Sequence, residues 1–411
     1  MARFKTDSHI EAAGRALAAG DPLKALNFVA LREDAPAIAL RGIALAQLGE
    51  LVRAKALLRK AARAFGLKQP VARARCILAE AEIAFVSREL GWSAKTLAEA
   101  RTALEAHGDS VNAAHARLLE VRRLLLIGRL EEAELVLARL DPAPLPPALR
   151  TAYELIIAGI AVRRLRTKEA RAALNRAERA ARMAKISGLV AEVEGAARVL
   201  NTPAARLVGH GEERLLRLEE IEALLASNTV VVDACRRVVR KAATVISLAR
   251  RPVLFALART LAEAWPGDVA RSTLITQTFQ ARRINESHRA RLRVEIGRLR
   301  KRLKSLAGVS ATMQGFMLVP RGTREVAVLA WPGEEEHAAV LAFLADGESW
   351  SSSALATALG ASQRTVQRAL DSLAAAGKVQ AFGRGRARRW MTPPALGFTT
   401  VLLLPASLPV G

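Results

Sequence analysis

Over roughly the first 200 positions, apolar residues recur every three to four places and strict alternation is almost absent, so successive amphipathic helices joined by short turns are expected. A shorter pattern is superimposed. "GDPLKA", "GELVRA" and "GRLEEA" place Gly20, Gly49 and Gly128 five residues before Ala25, Ala54 and Ala133, and "LRTKEA" ends likewise at Ala170. In each, a turn ends one helix and a small residue early in the next lets two backbones approach. Large apolar residues follow at one-turn spacing, as in Leu58 with Ala61 and Leu174 with Ala177, while Gly42 and Leu45 take the matching face upstream.

These units resemble the tetratricopeptide repeat, a helix pair that stacks into a solenoid. Leu fills the bulky aromatic position and "GWSAKTLAEARTAL" is off register, so the match is degenerate. The resemblance implies a TPR-like helical repeat domain over 1–205. Such arrays bind a protein or peptide ligand or pair with themselves, and a spacer that only forms a homodimer stands beside signal input.

Pro203, Gly209 and Gly211 interrupt the periodicity, and Glu212–Ala226 is expected as a linker helix within 206–228. From Thr229 the texture changes: "TVVVDA", "RRVV" and "ATVISL" read as short strands. "RPVLFALARTLAEAWPG" reads as a helix opened by Pro252, and "ARSTLITQTF" as a second. Then comes "RARLRVEIGRLRKRL". Leu292, Ile296, Leu299 and Leu303 share one helical stripe. Arg289, Arg291, Arg293, Arg298, Arg300, Lys301 and Arg302 cover the other faces, and Ser287 is the expected N-cap. Alone this fits either a solvated face or a helix that enters a DNA groove. "SATMQGFMLVP" follows as two strands around Gly315.

Strands, three helices and a hairpin in that order, with "RLRVEIGRLRKRL", "TMQGFML", "ARSTL" with Phe279, and "VISL", resemble the OmpR/PhoB-type winged-helix domain over 229–320. The resemblance implies major-groove reading by the exposed side of Ser287–Leu303, a hairpin reaching a phosphate or the minor groove, and loop 279–287 as a place to meet RNA polymerase. No receiver domain precedes it, so no phosphorylated Asp is implied.

After a linker at 321–334, three more helices and a hairpin are expected over 335–392, followed by a tail at 393–411 read as a packed terminal strand. Val366, Leu370 and Leu373 form the buried stripe of the third helix. Ser351 to Trp390 resembles the DeoR or GntR type of winged helix-turn-helix. That resemblance directs Ser362, Gln363, Arg364, Thr365, Gln367 and Arg368 toward a duplex, with Arg384, Arg386, Arg388 and Arg389 on the wing. Arg can bridge guanine O6 and N7, and Gln363 or Gln367 can pair with adenine. Winged helices also serve as protein-interaction modules. The expected fold class is mainly α: a TPR-like α-solenoid followed by two small α+β winged-helix domains.

Composition sharpens this. The formal net charge is +24 and the pI near 11.3, which calls for an anionic partner. Of the 63 Lys and Arg, 27 lie between 229 and 392, against only 12 of the 39 acids, so the excess concentrates where the winged folds are expected. Aromatics are 4% of the chain, which argues against base-stacking RNA recognition. The six histidines are scattered without metal-ligand spacing, and neither a Walker loop nor a G-x-S-x-G elbow is present. Cys76 and Cys235 sit far apart in apolar contexts and read as reduced core residues. No stretch reaches the roughly eighteen uninterrupted apolar residues of a membrane span. The expectation is a cytoplasmic, non-enzymatic regulator without cofactor that binds double-stranded DNA, with a helical-repeat adaptor binding nucleic acid non-specifically as the alternative.

Overall fold

The structure is a computed structural model and describes residues 7–86, 93–126, 129–209, 212–279, 283–323, 325–332, 337–344, 350–359, 361–383, 385 and 388–392. Gly128 and the tail at 393–411, expected as a strand, lie outside these residues. The chain is mainly helical with some sheet. It divides between Val199 and Leu200 into two compact units.

The first unit is a run of helices: α1 (Ser8–Ala18), α2 (Pro22–Val29), α3 (Ala35–Gln47), α4 (Leu51–Phe65), α5 (Pro70–Val86), α6 (Ala94–Ala106), α7 (Ser110–Leu126), α8 (Leu130–Leu137), α9 (Pro147–Arg163), α10 (Thr167–Ala184) and α11 (Ser187–Asn201). From α1 to α8 each packs on its neighbour in sequence. The odd-numbered helices also touch one another in succession, α1 with α3 through to α7 with α9. The repeat explains the spacing. Ala25, Ala54, Ala133 and Ala170 are all fully buried, and a Cβ on Gly42 of α3 would lie 3.1 Å from Leu58 and 3.2 Å from the Ala54 carbonyl of α4. Gly20 and Gly49 turn the chain with φ of +74° and +87°, a region that costs other residues strain.

The second unit opens with strands β1 (Ala205–Gly209) and β2 (Glu212–Leu216), then α12 (Leu218–Ala226), β3 (Val230–Asp233), β4 (Val238–Lys241) and β5 (Thr244–Ser247). There follow α13 (Pro252–Glu263), β6 (Val269–Ala270), α14 (Arg271–Phe279), α15 (Glu286–Leu303), β7 (Ala307–Ala311), β8 (Gly315–Pro320) and β9 (Val326–Ala330). Six strands form a sheet in the order β2-β1-β9-β3-β4-β5, with β9 antiparallel to β1 and parallel to β3. A smaller sheet has the order β6-β8-β7.

Two segments expected as linkers are therefore structural. Within 206–228, Glu212–Leu216 is strand rather than helix, and α12 begins only at Leu218. Within 321–334, "VAVLA" is the central strand β9, paired along its edges with β1 and β3 and buried at every position. One core joins the layers. Val230, Val232 and Val328 of the sheet, Leu257 and Leu261 of α13, Leu274 of α14, the α15 seam and Leu318 of β8 belong to a single cluster.

The chain then forms α16 (Ala338–Leu344), α17 (Ser352–Leu359), α18 (Gln363–Ala375) and the hairpin β10 (Gln380–Phe382) with β11 (Arg389–Met391). Leu344, Leu355, Val366, Leu370, Leu373 and Trp390 make a second, separate core. Arg237, at the turn between β3 and β4, donates to the Leu359 carbonyl at the end of α17, joining this module to the large sheet.

Candidate nucleic-acid interface

Helix α15 exists because four large apolar residues recur at its inner stripe. Leu292, Ile296, Leu299 and Leu303 are at most 2% exposed. Its N-cap is Asn285, not Ser287: the Asn285 side chain accepts from the His288 amide at 3.0 Å, so the helix starts before the expected cap. Phe279 at the end of α14 packs between the His288 ring, 6.4 Å away, and the Arg291 guanidinium, 4.5 Å from its centroid. Part of the loop that precedes α15 (280–282) lies outside the described residues.

All seven cationic side chains of α15 are exposed, but they differ in what holds them. Arg289 and Arg293 share Glu286 at 3.3 and 3.2 Å, and Arg298 meets Glu295 at 2.7 Å. These arginines keep 62%, 71% and 59% of their side-chain area exposed, so each pair is worth only about 0–1 kcal/mol and yields readily to a competing anion. Arg291 is committed to Phe279, and Arg300 donates from Nε to the Val309 carbonyl at 2.6 Å, tying the helix to β7. Lys301 and Arg302 have no protein carboxylate within ion-pair distance among the described residues.

Gly315 fixes the hairpin beside this helix. A Cβ there would sit 1.7 Å from the Val269 carbonyl oxygen, so only glycine lets β8 pair with β6. One cation was not expected from the sequence. Arg271, at the start of α14, is exposed and lies 5.4 Å from the Phe316 ring centroid, which Arg300 also approaches at 6.0 Å. It joins the surface only through the fold, being distant in sequence from both α15 and the hairpin. Arg283 and Lys304, flanking α15, are also exposed.

The second set of residues is arranged differently. Ser362 caps α18 by accepting from the Thr365 amide at 3.1 Å, and the two hydroxyls lie 2.8 Å apart, so Ser362 and Thr365 largely satisfy each other. Gln363 donates to Ser352 at 3.3 Å and the half-buried Gln367 to Asp371 at 3.0 Å. Arg364 and Arg368 are exposed one turn apart. In the hairpin, Arg388 lies 4.3 Å over the Trp390 ring and 3.9 Å from Asp371, and Arg389 is half-buried. Arg384 and Arg386 lie outside the described residues.

Both cysteines are free, and burial pushes each thiol up to about 12. Among the described residues, no group of His, Cys, Asp and Glu gathers to hold a metal ion and no helix is long and apolar enough to cross a membrane. No family model, curated protein or solved structure matches the chain.

Proposed function

We propose that the protein is a sequence-specific regulator of transcription that binds double-stranded DNA through two winged helices. In this reading the helical first unit, a TPR-like solenoid, serves for homodimerisation or for input from a protein or peptide. The carrying observation is α15: seven exposed cations around a buried leucine and isoleucine seam, on a helix anchored at both ends by Phe279 and Val309. A convex cationic helix of this kind suits the major groove, where it can meet phosphates of both strands and base edges together. The adjoining hairpin, braced by Gly315, takes the place of the wing. The second module repeats the plan with fewer cations, and two readers on one chain gain avidity on an extended site.

The test is selection of duplexes from a random pool by the full-length protein, followed by footprinting on the recovered sites. A defined footprint that the wild type keeps in excess non-cognate duplex, and that the α15 variants lose, supports regulation by sequence. Equal affinity for all duplexes favours the alternative, an adaptor whose basic half holds nucleic acid without reading it.

A further inference from the structure

The hairpin between β7 and β8 carries an unusual tip. Its residues are Thr312, Met313 and Gln314, and Met313 is 99% exposed, the most exposed of the large apolar side chains described. An exposed methionine on a loose loop would mean little, but this tip is held from several directions. Arg271 alone engages all three tip carbonyls: Nη2 donates to Thr312 at 3.0 Å, Nη1 to Met313 at 2.9 Å, and its backbone amide to Gln314 at 3.3 Å. The Thr312 amide donates to the Gly315 carbonyl at 3.0 Å, the Gly315 amide returns to the Thr312 hydroxyl at 2.9 Å, and that hydroxyl donates to Asp268. Arginine, threonine and aspartate thus fix the backbone while the one apolar side chain is left in water.

The surroundings are cationic. Arg271 and Arg300 both approach the Phe316 ring, just beyond the tip, and Arg300 belongs to α15 and bonds Val309 on the strand leading to the tip. A surface that attracts phosphates therefore runs from α15 to the hairpin and ends on a fixed apolar point. Apolar side chains held in this way on nucleic-acid-binding proteins can enter between base pairs from the minor groove, unstack a step and bend the duplex.

We infer that Met313 is an apolar wedge that inserts at a base step flanking the segment covered by α15 and bends the DNA there. This rests on the proposed DNA-binding function and adds a deformation that the charges alone do not produce. Insertion gains burial of the methionine against base faces and loses stacking at one step. Flexible pyrimidine–purine steps, where stacking is weakest, are thus the favoured targets and add selectivity outside the α15 contacts.

The experiment uses the full-length chain on a duplex recovered by selection, labelled at both ends for energy transfer and carrying 2-aminopurine at the flanking steps. The wild type is expected to shorten the end-to-end distance and to brighten one 2-aminopurine. Met313→Ala should bind about tenfold more weakly, the equivalent of partly losing one buried methionine, and should abolish both signals. Met313→Leu should restore them. The log–log salt slope should be the same in all three, because no charge changes. Met313 lies outside the core, so matching melting curves verify that the variants are folded. Full bending and brightening by Met313→Ala would overturn the wedge while leaving DNA binding intact. Loss of self-association in Met313→Ala with unchanged bending would overturn it too, and would assign the tip to contact with a second copy. Absence of any duplex binding by the wild type would remove both this inference and the function on which it rests.

Discussion

The two small modules of the second unit share an order of elements, three helices and then a hairpin, yet they present different surfaces. Helix α15 carries seven exposed cations and two acids, the exposed Glu286 and the half-buried Glu295, both occupied by arginines of the same helix. Helix α18 offers Arg364 and Arg368, and Asp371 faces the hairpin arginine Arg388. The polar side chains that the sequence assigns to base reading on α18 are also partly spent on cap and neighbour, as Ser362 with Thr365 and Gln363 with Ser352 show. The lesson is that a shared helix order does not predict equal binding. In the proposed function the first module supplies most of the affinity and the second adjusts it.

The sharpest way to break that comparison is to strip each helix in turn. Arg293→Ala/Lys301→Ala/Arg302→Ala avoids Arg291 and Arg300, which also hold the fold together through Phe279 and Val309. This triple variant should weaken operator binding at least a hundredfold in a gel-shift titration, and its log–log salt slope should fall by about 2.7 if each cation neutralises one phosphate. Arg364→Ala/Arg368→Ala should weaken binding only about tenfold and lower the slope by roughly 1.8. Equal losses would remove the distinction between the modules. No loss in the first would remove the assignment of α15.

Glycines in the two hairpins test the same contrast through stability. Gly315→Ala forces a Cβ to 1.7 Å from the Val269 carbonyl and should destabilise the first module by roughly 3 kcal/mol or more by unpairing β6 from β8, read as a lower Tm. Gly385→Ala in the second hairpin meets no atom within 4 Å and suffers only from its φ of +55°, so about 1–2 kcal/mol is expected. Similar losses at both sites would show that the first hairpin is not braced by its glycine.

These contrasts also mark what could be read from the chain alone. The α15 seam was legible because Leu292, Ile296, Leu299 and Leu303 repeat at helical spacing without help from distant residues. The strands at 230–233, 238–241 and 244–247, the hairpin around Gly315, and the three helices and hairpin of the second module were legible in the same way, from local alternation and turn residues. Strand β9 was not, because "VAVLA" is a continuous apolar run. It carries no alternation when a central strand is covered on both faces, and its partners β1 and β3 lie far off in sequence. The β1–β2 pair was hidden because "GEERLLRLEE" has helix-forming residues, and the pairing of Glu212–Leu216 with β1 overrides their propensity. Arg271 escaped for a related reason: its position beside the hairpin tip depends on packing against Thr312 and Met313, which lie 41 and 42 positions further along the chain. What is local in energy was local in sequence, and the candidate site was only half of that kind.

A smaller effect would sharpen the difference in charge. Asp371→Asn removes the carboxylate 3.9 Å from Arg388 and releases that guanidinium from its acid. Since a half-exposed pair is worth about 0–1 kcal/mol, operator affinity should rise by up to roughly fivefold, with a steeper salt slope. The matching change on α15, Glu295→Gln, should do less per residue, because six other cations already surround the duplex there. Unchanged affinity in Asp371→Asn would mean that the α18 face stays clear of DNA.

The last test concerns the first module's sheet and has the smallest effect. Asp233, at the end of β3, is 4% exposed, and burial holds its carboxyl above the usual carboxylate range although the Arg236 amide donates to it at 3.0 Å. The folded chain therefore binds this proton more tightly than the unfolded chain does. The associated stability is complete below the ordinary carboxylate pKa and is lost as pH rises through the raised one. Asp233→Asn keeps an oxygen for the Arg236 amide but cannot ionise, so it escapes that loss. Its Tm minus that of the wild type should be positive at neutral pH and shrink as pH falls toward the acid range. A difference independent of pH would mean that Asp233 ionises in the fold without penalty, and the sheet that carries β9 would then tolerate a charge its packing should reject.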